Sequence, residues 1–197
     1  MRCQPIHQPM GSGYRIAITG TPGCGKTTLC TQASDSGMNV EAVAVIAYRY
    51  GLLGSPDPDD GAAPIDTDAL AKTLAQGEWA SESETAILID GHLSHYLPVD
   101  AVVLLRCHPE VLQQRLIERG YSNPKVDENV EAELIGVIAG ECLASAASGG
   151  SPMLEIDMTA AKTGDVLGLV NAWITDGFKP RLPNAPVDWI ELLHGGD

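Results

Sequence analysis

The ten residues GTPGCGKTTL, Gly20 to Leu29, restrict the possible folds of this chain more than any other stretch. They fit G-x-x-x-x-G-K-[ST] over Gly20 to Thr27, directly behind an apolar run ending at Thr19 and ahead of a helical pattern that begins at Lys26. Glycines at this spacing let successive backbone N–H groups turn toward one centre. The helix N-terminus behind them adds its own unpaired donors and dipole, so the loop suits phosphate oxygens. Lys26 supplies a point charge for the outer phosphates, and the Thr27 hydroxyl can ligate Mg²⁺. A glycine-rich turn with an incidental lysine would not need a strand on one side and a helix on the other. The implied ligand is a nucleoside triphosphate.

Strand-like apolar runs occur at Arg15 to Thr19, Ala86 to Asp90, Ala101 to Leu105 and Met153 to Asp157. Between them, helical spacing covers Lys26 to Ser34, Thr67 to Gln76, Pro109 to Arg119, Glu128 to Ala147 and Val166 to Thr175. Strands that are apolar throughout and alternate with helices predict an α/β P-loop fold, a parallel sheet with helices on both faces. Val40 to Ile46 reads equally as a strand or as the start of a helix. The proline- and aspartate-rich stretch from Gly54 to Pro64 reads as a loop. The chain end reads as a tail docked by Trp189, Ile190, Leu192 and Leu193. The expected organisation is an N-terminal extension over residues 1–14, a P-loop domain over 15–177 and a tail over 178–197.

A second, acidic element belongs beside such a loop, and the run AILIDGH supplies Asp90 at the end of an apolar strand. There it can hold Mg²⁺ through water, in the crevice where open α/β sheets bind ligands; an aspartate that only starts a turn is the alternative. Were the strand to continue, His92 would share a face with Asp90. Arg115 and Arg119, four residues apart, fall on one helix face, with Arg106 at the end of the preceding strand. The three can neutralise a phosphoryl group in transfer, although the helical pair can equally bridge to Glu110 or Glu118. Cys24, beside a helix N-terminus, is expected to favour its thiolate.

Other classes recede. There is no N-K-x-D guanine-reading motif, and no glutamate follows Asp90 to activate water. With 26 acidic against 12 basic residues the net charge is −14, which opposes broad nucleic-acid binding and leaves a solvated acidic surface or a basic protein partner. Five cysteines, Cys3, Cys24, Cys30, Cys107 and Cys142, form no C-x-x-C pair. No run approaches the roughly eighteen apolar residues of a membrane span, so a soluble, cytoplasmic protein is expected.

RIAITGTPGCGKTTL, the D-x-H at Asp90 to His92, and LLRCHPEVLQQRLIERGYSNPKVDENVEAE together resemble adenylate kinase isoenzyme 6, from about Arg15 to Glu141. The resemblance implies adenylate kinase and ATPase activities and a role in maturing the small ribosomal subunit, with a small-subunit ribosomal protein as partner. It implies that Gly23, Cys24, Gly25, Lys26, Thr27 and Thr28 bind ATP phosphates, and that Asp90 and His92 serve metal and water. It makes 15–177 a kinase domain, places Arg115 and Arg119 in a short lid around 115–129, and puts Arg49 on the AMP side. Cys24 replaces the family's small aliphatic residue, and the Gly54 to Pro64 loop and the tail after Phe178 match poorly. The bare sequence leaves three readings: a nucleoside monophosphate kinase, an ATP-driven assembly factor, or a kinase for another small metabolite.

Overall fold

The apolar runs become strands of one parallel sheet. The computed structural model describes residues 13–56, 61–77, 79–81, 85–161 and 163–194. Residues 1–12 of the expected extension, 57–60 of the expected loop and 195–197 of the expected tail lie outside them. In chain order the elements are β1 (Arg15–Thr19), α1 (Lys26–Asp35), β2 (Asn39–Ala42), α2 (Val43–Arg49), α3 (Thr67–Gln76) and β3 (Ile87–Asp90). After a 3₁₀ turn at Ser94–Tyr96 come β4 (Ala101–Arg106), α4 (Pro109–Glu118), α5 (Asn123–Leu134), α6 (Val137–Ala147), β5 (Met153–Asp157), α7 (Thr163–Thr175) and α8 (Trp189–His194).

The strand order is β2-β3-β1-β4-β5, and every pairing is parallel. The chain therefore winds to one side of β1 and then to the other, so the carboxyl end of β1 is the switch point where such sheets hold ligands. Alternation along β1 separates the layers. Ile16 and Ile18 join a core with Leu29, Ala33, Val166, Val170 and Trp173 of α1 and α7, while Ala17 joins Ala139 and Cys142 of α6. A third cluster packs α2 and α3 onto β3 through Val43, Ile46, Leu70, Leu74 and Ile89.

Local chemistry sets the helix ends. The Asp66 side chain accepts from the amide of Ala69 at 2.9 Å and caps α3, a bond typically worth about 1 kcal/mol. Proline in the first turn starts α4 and α5. Val40 to Ile46 is ambiguous in sequence because it contains both a strand end and a helix start. The helix expected over Glu128 to Ala147 is instead two helices: the first begins at Asn123, and the chain breaks at Gly136 with φ 67° and ψ 41°, the left-handed conformation glycine tolerates. Of the four residues expected to dock the tail, only Trp189 is buried; Ile190, Leu192 and Leu193 are 48%, 68% and 41% exposed, which corrects the expected four-residue dock. Among the described residues no helix is long and apolar enough to cross a membrane.

Candidate active site

The loop from Gly20 to Thr27 leaves the sheet at the switch point. Its close packing requires glycine at the first position: a Cβ on Gly20, at φ 135°, would lie 2.2 Å from the Leu105 carbonyl oxygen. Lys26, 9% exposed, folds its ammonium back to donate to the carbonyl oxygens of Gly20 (2.6 Å) and Thr21 (3.0 Å). Burial lowers its pKa and the Arg119 charge adds to that, against Cys24, Asp90 and Glu133, which raise it. Gly25 precedes α1 with no side-chain cap among the described residues, so the first-turn amides of α1 keep their demand for an acceptor. These donors, with a hydroxyl and a carboxylate beside them, fit a magnesium-bound triphosphate.

That hydroxyl and carboxylate are Thr27 and Asp90, with Thr27 Oγ1 donating to Asp90 Oδ2 at 3.2 Å. Asp90 ends β3 beside Ile18 of β1. Burial holds its carboxyl above the usual value, while the Thr27 bond and Lys26 pull it down. The strand does not run on past Asp90, which corrects the expectation that His92 shares its strand face. His92 instead sits in the turn after Gly91, and its carbonyl accepts from Thr19 Oγ1 at 3.1 Å. Its pKa is lowered by burial and by the charges of Lys26, His95 and Lys125.

His95, which the sequence reading passed over, lies behind it. Its Nδ1 is 2.9 Å from Thr19 Oγ1, and its Nε2 is 3.1 Å from Glu141 Oε2 of α6. On the other side of the loop, Thr21 Oγ1 donates to Glu133 Oε2 at 2.5 Å. Glu133 Oε1 accepts from Arg106 Nε (2.7 Å), the Cys107 amide (3.1 Å) and Trp189 Nε1 (3.0 Å). Arg106 also reaches Glu155 at 2.8 Å and the Val187 carbonyl at 3.1 Å. Although burial acts to lower the Arg106 pKa, the two glutamates hold it above its ordinary value. Arg106 is therefore committed to a buried network 2% exposed, which corrects the expectation that it faces a phosphoryl group. One signal for Glu133 was present: Val126, Asn129, Val130 and Glu133 follow the i, i+3, i+4, i+7 spacing of a buried helix face, which here carries two polar side chains. Thr19 precedes the motif and Thr21 is its second residue, but nothing in the sequence pairs Glu133 with Trp189 or His95 with Glu141.

Arg115 is tied to protein acceptors: it donates to Cys107 Sγ (3.3 Å) and to the carbonyls of Met158 (3.0 Å) and Thr159 (3.3 Å), just past β5. Arg119 is exposed, immediately beyond α4, and its charge acts on Lys26. Arg49, at the end of α2, pairs with Glu41. Cys24 is fully buried, and desolvation first, then Glu133, holds its thiol well above the ordinary value; the expected thiolate is overturned because the side chain points into the core rather than along the helix axis to solvent. Among the described residues no cluster of three histidine, cysteine, aspartate or glutamate side chains could hold a metal ion.

The sheet order, the loop at its switch point and the aspartate on the adjacent strand define an α/β P-loop fold of the nucleotide kinase type. The deoxyadenosine kinase from M. mycoides, solved with dCMP and a flexible dCDP, shares that fold with a TM-score of 0.50 and 15% identity, over 82% of this chain and 98% of that one. An uncharacterized protein from Eubacterium ventriosum gives a TM-score of 0.51 at 10% identity, over 82% and 98%.

The AAA domain family matches residues 16–136. Proteins named "Putative adenylate kinase" are similar over most of their length. That of Thermococcus onnurineus is 37% identical over 89% of this chain and 91% of its own. That of Methanocaldococcus jannaschii is 37% identical over 90% and 93%, and that of Natronomonas pharaonis 37% over 91% and 99%. The chain belongs to this adenylate kinase-like family of P-loop proteins.

Proposed function

We propose that the protein is a nucleoside monophosphate kinase that transfers the γ-phosphoryl group of ATP to AMP, yielding two ADP. The observation that carries the reading is the convergence of Lys26, Thr27 and Asp90 at the switch point in a chain of this family. Lys26 would leave the Gly20 and Thr21 carbonyls for the outer phosphates, with the amides of Gly23 to Thr28 around them. Thr27 and Asp90 would hold Mg²⁺, which supplies neutralisation of the charge on the transferring group. Arg119, exposed just beyond α4, would meet the same phosphates as the segment up to Asn129 closes. Arg115 would act from behind, fixing that segment to the loop after β5. Arg49, at the exposed end of α2, is assigned to AMP. The test is ADP formation from ATP with and without AMP. Dependence on AMP is expected, and ADP release that ignores AMP would overturn the kinase reading.

A second reading, ATP hydrolysis in a cytoplasmic protein that helps mature the small ribosomal subunit, is favoured by the position of His92 near Lys26 and by the net charge of −14. Water would take the place of AMP, and the acidic surface would meet a basic small-subunit ribosomal protein rather than nucleic acid directly. Nucleotide-dependent capture of purified small-subunit proteins tests it. Capture indifferent to ATP would count against it.

A further inference from the structure

The C-terminal segment reaches the phosphate loop through a single carboxylate. Glu133 has two oxygens with unequal duties. Oε1 accepts three donors, Arg106 Nε at 2.7 Å, the Cys107 amide at 3.1 Å and Trp189 Nε1 at 3.0 Å. Oε2 accepts the Thr21 hydroxyl at 2.5 Å. Thr21 then faces the site through its own carbonyl, which accepts the Lys26 ammonium at 3.0 Å and the Cys24 amide at 3.1 Å. Three donors on one oxygen fix the plane of the carboxylate, so they also fix the direction in which the other oxygen holds the loop.

We infer that Trp189 is a positioning residue for the phosphate loop, acting through Glu133 and Thr21; the inference rests on the reading of that loop as an ATP site. Plain hydrophobic docking would need the indole ring but not its N–H. Here the ring is buried against Arg106 (5.8 Å from guanidinium carbon to ring centroid) and His108 (5.4 Å between centroids), and the N–H ends on the oxygen that sets the loop. The approach of the segment is fixed by the same buried arginine. Arg106 Nη1 donates to the Val187 carbonyl at 3.1 Å and to Glu155 Oε1 at 2.8 Å, and Glu155 Oε2 accepts the Val187 amide at 3.0 Å. The seat of the tail and the anchor of the loop thus share Arg106 and Glu133. Without the indole N–H, Oε1 keeps two donors that hold the carboxylate less firmly, and the Thr21 bond loosens with it.

Calorimetric titration of the full chain with ATP tests this. Trp189→Phe, which keeps a ring and removes the donor, is expected to weaken ATP binding about threefold to tenfold, the scale of one hydrogen bond to a charged group transmitted in part. Thr21→Ala is expected to weaken it to a similar degree, and the double variant no further, because both changes cut one path. Wild-type affinity in Trp189→Phe, even with a lowered melting temperature, would mean the tryptophan only packs and would overturn the inference, as would two effects that multiply. Coupling is reciprocal, so saturating ATP should slow hydrogen exchange at the amides of Val187 to Glu191 in the unaltered protein, a measurement that stands even if Trp189→Phe does not fold. Exchange there that ignores ATP overturns the inference. A wild-type chain that binds no ATP overturns the ATP site and this inference together, whereas wild-type binding beside an unaffected Trp189→Phe overturns this one alone.

Discussion

Thr27 of α1 donates its hydroxyl to Asp90 of β3 at 3.2 Å, across 63 residues of sequence. The bond joins the phosphate loop to the neighbouring strand at the point where a magnesium ion would need both groups. It also partly offsets the burial that holds the Asp90 carboxyl above its ordinary value. A carboxyl whose folded pKa is raised favours the protonated fold, and that contribution to stability is lost as pH rises through the folded pKa. Near pH 7 the ionised carboxylate therefore costs stability. Asp90→Asn should melt no lower than the wild type at neutral pH, yet lose about 100- to 1000-fold in magnesium-dependent turnover. A variant that melts lower and keeps its turnover would show Asp90 to be structural.

Lys26 now rests on the Gly20 and Thr21 carbonyls. Lys26→Ala removes two hydrogen bonds to backbone but also a buried charge, so the stability effect should be small. Phosphoryl transfer should fall about 100- to 1000-fold, the scale of losing one electrostatic clamp in a water-poor site. Steady-state kinetics and a thermal melt on the same preparation separate the two. Turnover near the wild-type value would remove the lysine from the reaction.

The two arginines of α4 and its end, equivalent by spacing, part company in the fold. Arg115→Ala strips donors from Cys107 Sγ, Met158 and Thr159 and should destabilise the protein by about 1–3 kcal/mol. Arg119→Ala touches an exposed site and should leave the melting temperature unchanged while lowering kcat more than it raises KM for ATP. The reverse pattern, with Arg115 kinetic and Arg119 structural, would contradict these positions.

What could be read from the sequence follows from how far apart the cooperating residues lie. The phosphate loop is carried by consecutive residues between a strand and a helix, so Gly20 to Thr28 declares itself. Asp90 is legible because an acid ends an apolar strand. The supports are not legible, because Glu133 meets Trp189 over 56 residues and His95 meets Glu141 over 46. Arg106 misled for the same reason: at a strand end it reads as a free cation, and only the return of Glu133 at the end of α5 and of Glu155 on the neighbouring β5 reveals the two glutamates around it. Cys24 misled through direction, since a helix start favours a thiolate only when the sulfur is not buried in the core.

His95 is expected to weaken the fold in acid. With Nε2–H donating to Glu141, the neutral ring leaves Nδ1 and the His92 carbonyl as two acceptors around the single Thr19 hydroxyl proton. A second proton would place a donor on Nδ1 and drive the Thr19 hydroxyl to give its own proton only to the His92 carbonyl, 3.1 Å away. Burial lowers the His95 pKa from its ordinary value, with the facing Glu141 and the bond to the His92 backbone opposing; Tyr96 lies beside the ring at 4.1 Å between centroids. The folded pKa is therefore below the unfolded one. The unfolded chain binds more protons between the two, so the stability is fully present above the ordinary histidine value and is lost as pH falls through the folded one. His92 shifts the same way and must be compared as a control. Denaturant unfolding of the wild type should show stability falling as pH drops below the ordinary histidine value, with a limiting slope of about 1.4 kcal/mol per pH unit for one proton. His95→Gln, whose amide can still donate to Glu141, should flatten that drop, and His92→Gln, measured beside it, isolates the share that the second imidazole takes. An undiminished slope in His95→Gln would show that the protons are taken up elsewhere.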